Sequence, residues 1–134
     1  MDAEASALAW IDAWTRSWRA KDAGLLAPVY APDAVFRSHP FREPQAPLEY
    51  ASWAYAEEEG EPEVWMGEPL VSGNRAVVEW WAIVVESGEL VSLAGASVLR
   101  FDEEGLVAEQ HDYWGTAPGR RPPWEEWGAS SSAG

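Results

Sequence analysis

The chain has 134 residues, a formal net charge of −14 and no cysteine, which together indicate one domain without disulfides or thiol chemistry. The excess of acidic side chains argues against nucleic acid and anionic membranes as partners, because their phosphates would be repelled. No apolar run is long enough to span a membrane and the first residues lack the basic region of a signal peptide, so we expect a cytoplasmic protein.

Ten tryptophans are the unusual feature of the composition. A buried large aromatic side chain removes roughly 150–250 Å² from water. Ten such side chains exceed what a small core needs, so we expect some of them to line a cavity or an interface. The alternative is a core that is simply rich in tryptophan.

The first third of the chain predicts two helices and a strand. Apolar residues recur at helical spacing from about residue 4 to residue 20. Asp2 is placed to cap this helix, and Asp22 is placed to cap a short second helix that meets Pro28. The alternation over residues 34–38 then predicts a strand.

Three prolines between residues 39 and 47 predict a loop, and Pro47 suits the first turn of a third helix. This helix is predicted to continue through the acidic run at residues 57–59 and to stop near Gly60. We interpret the acidic run as a solvated helix end.

After Gly60 the apolar period changes from 3.6 to 2, which predicts four long strands joined by hairpin turns. Their predicted ranges are 64–71, 76–86, 90–101 and 106–114. Helices followed by an antiparallel meander indicate an α+β fold, in which a cone-shaped curved antiparallel sheet wraps around the N-terminal helices.

The composition changes again near the end of the chain. We expect the domain to cover residues 1–128 and residues 129–134 to form a disordered tail, because this stretch contains only small residues. Trp124 and Trp127 are too large and apolar to remain free beside such a tail. We therefore expect them to pack on the body of the domain or on a partner subunit.

The order of these elements resembles the NTF2-like superfamily, a cystatin-like α+β barrel, and in particular its SnoaL-like branch. Residues 21–36 and the predicted final strand at 109–114, followed by residues 119–124, carry the resemblance. The resemblance implies a single deep pocket. It does not imply one reaction, because the superfamily includes isomerases, polyketide cyclases, epoxide hydrolases, dehydratases and proteins without chemistry.

Similarity to the ketosteroid isomerases within this superfamily assigns positions to their three functional residues. It places Trp14 at the tyrosine, Ser38 at the base with His39 beside it, and Ser97 at the second aspartate. An indole N–H can donate a hydrogen bond but is no phenolic acid, and serine is no base near neutral pH. The chain is therefore not expected to be a ketosteroid isomerase of the usual type.

Similarity to the SnoaL-type polyketide cyclases implies that Asp112, on the final strand, is an acid or base. The match to the isomerases places this residue inside the cone, and strand alternation puts Gln110 and Trp114 on the same face. Desolvation among tryptophans would raise the pKa of Asp112. The alternative is that Asp112 pairs with Arg37 or another arginine and has a structural role.

These considerations predict a cavity for a small apolar or aromatic molecule and cofactor-free proton transfer, cyclisation, dehydration or water addition. Asp112 would be the acid or base, assisted by His39 and Ser38. The predicted ligand-binding residues are Trp14, Trp18, Phe36, Trp53, Trp80, Ser97, Gln110 and Trp114. A metal site is not expected, because the two histidines lie far apart in the sequence and a site needs three or four converging ligands.

Two alternatives concern the use of the cavity. The protein could bind a ligand without chemistry, or it could be an assembly module whose cavity is filled by its own tryptophans. In each case we expect a homodimer through the outer face of the sheet, which would carry Glu79, Trp81, His111 and Tyr113. These four residues are predicted to be interface residues rather than catalytic ones.

Overall fold

The computed structural model describes residues 1–129, so the predicted disordered tail lies outside the described residues except for Ala129. Helix α1 covers Ala3–Ala20, and Asp2 caps it by accepting a hydrogen bond from the Ala5 N–H at 3.1 Å. A 3₁₀ segment follows at Ala23–Val29, where Asp22 accepts from the Gly24 N–H at 3.0 Å. Both predicted caps are confirmed.

Helix α2 covers Pro47–Ala56, so the predicted proline start is confirmed and the predicted end near Gly60 is wrong. The acidic run does not continue the helix, because Glu59 already pairs with Val85 in the sheet. Gly60 has a φ of +68°, a left-handed conformation that suits glycine and not a helix interior. The helix therefore ends before the acidic run, in which Glu57 and Glu59 are exposed.

Six strands form one curved, unclosed sheet, as expected for an α+β fold of this kind. The strands are β1 (Tyr30–Arg37), β2 (Glu59–Met66), β3 (Leu70–Ser72), β4 (Arg75–Glu86), β5 (Glu89–Phe101) and β6 (Val107–Pro118). Their order is β1-β6-β5-β4-β2, and β3 also pairs with β4.

The sheet differs from the predicted antiparallel meander in two respects. Strand β1 starts at Tyr30, four residues before the predicted strand, and pairs with β6 in parallel. The single strand predicted over residues 64–71 is two strands, β2 and β3, separated by a break that contains Pro69. Proline has no N–H to give to a sheet ladder, which accounts for the break.

Helix α1 and the 3₁₀ segment lie against the concave face of the sheet and bury the main core. Trp10, Leu26, Phe36 and Leu99 belong to this core and have at most 2% of their surface exposed. The apolar face predicted for this helix, which includes Trp10 and Trp14, is therefore the inner face of α1. None of the helices within residues 1–129 combines the length and apolar character that a bilayer crossing would require.

The segment after β6 turns back over the outer face of the sheet. Trp124 and Trp127 pack edge-on against Trp81, with ring centroids 5.8 and 5.9 Å away. Arg120 binds both carboxylate oxygens of Glu63 at 2.7 Å. The expectation that these tryptophans pack on the body is confirmed, and they cover part of the face that was predicted to bind a partner subunit.

Candidate functional site

A cavity of about 430 Å³ lies between α1, α2 and the concave face of the sheet. Exposed lining residues mark its mouth, including Arg42, Trp53 and Glu57. Six tryptophans contribute to its walls, namely Trp10, Trp14, Trp18, Trp53, Trp80 and Trp114. The volume falls within the range of roughly 300–1,000 Å³ that is typical of small-molecule sites.

Eight of the predicted site residues line this cavity: Trp14, Trp18, Trp53, Trp80, Ser97, Gln110, Asp112 and Trp114. Phe36, Ser38 and His39 do not line it. Phe36 is fully buried behind the wall, where its ring packs on Trp14 at 6.5 Å and on Tyr50 at 5.0 Å. It supports the aromatic wall and does not form it.

Ser38 and His39 contact Trp114 but do not line the cavity. Ser38 is buried; its Oγ accepts from Arg42 Nη1 at 3.1 Å, and its carbonyl accepts from the indole N–H of Trp114. The half-buried ring of His39 packs edge-on against Trp114 at 5.4 Å. Both residues therefore hold Trp114 and Arg42 in place, and neither points at the cavity.

Asp112 is the buried acid of the cavity, with 8% of its surface exposed. Its Oδ1 accepts from Ser97 Oγ at 2.6 Å and from Gln110 Nε2 at 2.9 Å. Burial raises the pKa of Asp112 to about 7, although both hydrogen bonds act to lower it. No ion pair joins Asp112 to Arg37 or to any other arginine among residues 1–129.

The hydrogen bonds around Asp112 have a fixed direction on the Ser97 side. Trp80 Nε1 donates to Ser97 Oγ at 3.0 Å, and an indole nitrogen can only donate. The Ser97 hydroxyl proton is therefore free to point at Asp112 Oδ1. The hydrogen bond from Trp80 thus fixes the direction in which the Ser97 hydroxyl donates to the carboxyl group.

The hydrogen bonds on the Gln110 side of Asp112 also have a fixed direction. Trp10 Nε1 donates to Gln110 Oε1 at 3.0 Å, and Trp14 Nε1 donates to the Tyr30 hydroxyl at 2.8 Å. Tyr30, whose pKa is raised by burial, then donates to the same Gln110 oxygen. With two donors on its carbonyl, the Gln110 amide must present its NH₂ group to Asp112.

The two chains of donors have one chemical consequence. Asp112 Oδ1 accepts hydrogen bonds from Ser97 and Gln110, and the other partners of these two residues prevent them from acting as acceptors towards Asp112. A proton on this carboxyl group must therefore reside on Oδ2. Among the described residues none donates to Oδ2. Since Asp112 lines the cavity, Oδ2 is the oxygen that is free to exchange a proton with a bound molecule.

A second carboxylate lines the cavity near its mouth, and sequence reasoning missed it. Only 9% of the Glu58 side chain is exposed. Trp18 Nε1 at 2.8 Å and Lys21 Nζ at 3.0 Å both donate to Glu58 Oε1. Burial raises its pKa in spite of these donors. The interpretation of the acidic run as a solvated helix end is therefore wrong for Glu58.

The sequence also did not indicate Trp10 and Tyr30, which both donate to Gln110. Trp10 was assigned to the first helix and Tyr30 to the stretch before the first strand. Nothing in their spacing indicated that both would donate to the same residue, Gln110. The described residues 1–129 hold no group of three or more histidine, aspartate or glutamate side chains arranged for a metal ion.

A model of the SnoaL-like domain matches residues 9–110, about three quarters of the chain. The chain belongs to the SnoaL-like domain family. No curated protein sequence matches it. The resemblance inferred from residues 21–36 and 109–114 is thereby confirmed at the level of the family.

Solved structures agree with this assignment of the fold. SalBIII, an epoxide hydrolase/cyclase-like enzyme of pyran ring formation in the polyether salinomycin, superposes with a TM-score of 0.73 at 14% identity, covering 88% of this chain and 99% of that one. An LEH-like epoxide hydrolase of Mycobacterium tuberculosis gives 0.66 at 16% identity, covering 85% and 86%. AclR from Streptomyces galilaeus gives 0.68 at 15% identity, covering 84% and 90%.

Proposed function

We propose that the cavity binds a small, largely apolar or aromatic molecule and that Asp112 acts on it as a general acid or base without a cofactor. The observation that carries the proposal is the arrangement of Asp112. Its Oδ1 is occupied by two donors, Oδ2 has none among the described residues, and the residue lines a cavity walled by tryptophans. A general acid or base works best when its pKa lies near the operating pH, and about 7 meets that condition.

The chemistry open to such a site is proton transfer, with isomerisation, cyclisation, dehydration or water addition as the candidate reactions. Protonated Asp112 would donate from Oδ2 to an oxygen of the substrate. Ionised Asp112 would accept a proton from carbon or from an attacking water at the same oxygen. Water addition and cyclisation are favoured by the structural relatives, two of which are epoxide hydrolase-like proteins.

Ligand binding without chemistry is the second candidate. It is supported by the placement of Ser38 and His39 outside the cavity, which leaves Asp112 without the two residues predicted to assist it. Asp112 would then serve as a hydrogen-bonding anchor. An assembly module with a filled cavity has no support, because the tryptophans surround about 430 Å³ of space. The cytoplasmic location stays a prediction.

Turnover of an aryl epoxide such as styrene oxide by wild type and by Asp112→Asn tests the proposal. Asparagine retains an oxygen for Ser97 and Gln110 but exchanges no proton, so we expect turnover to fall by about 10²–10⁴-fold. Affinity for 1-adamantanol, followed by tryptophan fluorescence, should stay within about tenfold. Asp33→Asn, on the exposed part of β1, is the matched control and should retain turnover.

Turnover that survives the Asp112→Asn change would contradict a catalytic role for Asp112. If wild type turns over neither this epoxide nor a β,γ-unsaturated cyclic ketone but binds 1-adamantanol, the binding function is favoured over the catalytic one.

A further inference from the structure

The lining of the cavity contains a carboxylate oxygen that acid–base chemistry at Asp112 does not use. Both hydrogen bonds of Glu58 end on Oε1, and none of the described residues donates to Oε2. The side chain is more than nine-tenths buried and lines the cavity. A carboxylate oxygen that lines a cavity and has no donor from the described residues is free to accept a hydrogen bond from a ligand.

The charges around Glu58 favour a cation. Glu57 and Glu86 also line the cavity, and Glu86 lies close enough to contribute to the raised pKa of Glu58. Among the described residues only Lys21 pairs with any of these three carboxylates. Three negative charges against one positive charge leave this side of the cavity negative, within a chain whose net charge is −14.

The basic side chain of the lining is directed elsewhere. Arg42 donates to Ser38 at 3.1 Å, and its guanidinium lies 5.4 Å from the centre of the Trp114 ring. It is therefore held beside Trp114 and forms no ion pair with a glutamate of the mouth among residues 1–129. Arg42 can pair with an anionic group at the mouth, whereas Glu57, Glu58 and Glu86 favour a cationic one.

Aromatic rings accompany the carboxylates. Trp18 binds Glu58 and packs edge-on against Trp80 at 6.1 Å, which places the Trp18–Trp80 pair between Glu58 and the Asp112 network. Lys21 Nζ already lies 5.9 Å from the centre of the Tyr55 ring. Ring faces attract cations at about this distance, so the same surroundings suit an ammonium group of a ligand.

We propose that the molecule bound in this cavity carries a positively charged amine, which binds Glu58 Oε2 between Trp18 and the mouth while its apolar part extends past Trp80 towards Asp112. The inference rests on the proposed function only in taking this cavity as the ligand site. It adds a substrate class, an amphipathic amine, to a site otherwise defined by apolar walls and one acid.

Three probes with the same apolar cage separate charge from shape: 1-aminoadamantane, 1-adamantanol and adamantane-1-carboxylate. An alkylamine is protonated at pH 7, and the alcohol keeps a hydrogen-bond donor without charge. Titration against the fluorescence of the cavity tryptophans should show the amine binding at least tenfold more tightly than the alcohol, and the carboxylate more weakly than both. Raising NaCl from 50 to 500 mM should weaken the binding of the amine and leave the affinity of the alcohol unchanged.

Glu58→Gln removes the charge while keeping an acceptor for Trp18 and Lys21, and should bring the amine to within about twofold of the alcohol. Glu49→Gln, exposed on the first turn of α2, is the matched control and should leave the ratio as in wild type. Equal affinities of amine and alcohol in wild type, or an unchanged ratio in Glu58→Gln, would overturn the inference while leaving the cavity as a site. Failure of all three probes to bind would overturn it together with the ligand site itself.

Discussion

At the scale of single residues, the protein keeps a carboxyl group in surroundings that disfavour its charge. Within residues 1–129 the donors to Asp112 are two neutral groups, from Ser97 and Gln110, and burial outweighs them. Those donors are themselves held by Trp80, Trp10 and Tyr30, so the orientation of the carboxyl group is set by side chains that make no contact with it. Functional groups held in this way cost folding stability.

The pH dependence of stability follows from the raised pKa of Asp112. Between about pH 4 and pH 7 the native state keeps the proton that the unfolded chain loses, so stability falls as pH rises. A shift from 3.8 to about 7 corresponds to roughly 4 kcal/mol lost between pH 4 and pH 8. Asp112→Asn has no such proton and should escape this loss.

Urea unfolding of wild type and Asp112→Asn at pH 4 and pH 8 measures the effect. We expect the variant to gain stability relative to wild type on going to pH 8, by a few kcal/mol. Asp33→Asn should have the same free energy of unfolding as wild type at both pH values, which controls for the loss of an exposed carboxylate. Parallel curves for wild type and Asp112→Asn would mean that Asp112 ionises in the native state as it does in the unfolded chain.

At the scale of elements, strands β5 and β6 approach closely at the level of the site. Gly95 faces Trp114 in this pairing, and a Cβ atom added to Gly95 would lie 2.1 Å from the Tyr113 carbonyl oxygen and 2.5 Å from Trp114 Cβ. Such contacts cannot be relieved without moving the backbone that carries Asp112 and Trp114. The glycine is therefore required by the packing of β6.

Gly95→Ala should destabilise the protein by about 1–3 kcal/mol, because the strands must separate to admit the methyl group. Gly115→Ala is the matched control. Gly115 follows Trp114 on β6, and a Cβ atom added there meets nothing within 4 Å. We expect this control to change the free energy of unfolding by less than about 0.5 kcal/mol in urea titrations. Equal losses in the two variants would show that β-strand glycine content, and not close approach, sets the cost.

At the scale of the whole molecule, the outer face of the sheet is where a partner subunit is expected. Tyr113 is 50% exposed there, and Trp124 is 67% exposed on top of Trp81. The segment that carries Trp124 and Trp127 thus covers part of the face and presents a new apolar surface of its own. We propose that the homodimer forms on this combined surface.

Sedimentation velocity at micromolar concentration should therefore report a dimer. Tyr113→Glu should convert it to a monomer, because a buried carboxylate without a partner opposes association. Phe41→Glu changes a 93% exposed aromatic in the loop before α2, away from this face, and should leave the dimer intact. A monomeric wild type would contradict the proposal and would leave Trp124 and Trp127 as a cover for the sheet of a single subunit.

Features that depend on neighbouring residues could be read from the sequence alone. The caps at Asp2 and Asp22, the proline start of α2 and the hairpins of β4 to β6 are local, since hydrogen bonds and backbone angles within a few residues decide them. The period of two places Gln110, Asp112 and Trp114 on one face of β6, and the resemblance to the isomerases predicted that this face points inward.

Other features depend on which distant segments meet, and only the tertiary structure decided them. Trp10 and Gln110 are 100 positions apart, yet their hydrogen bond determines how Asp112 is presented. Phe36 supports the wall because Trp14 and Tyr50 cover it. Glu58 lies in the cavity because β2 starts at the next residue and because Trp18 and Lys21 bind its carboxylate there. Periodicity assigns a residue to a face of its own element, but the packing of elements determines what that face meets.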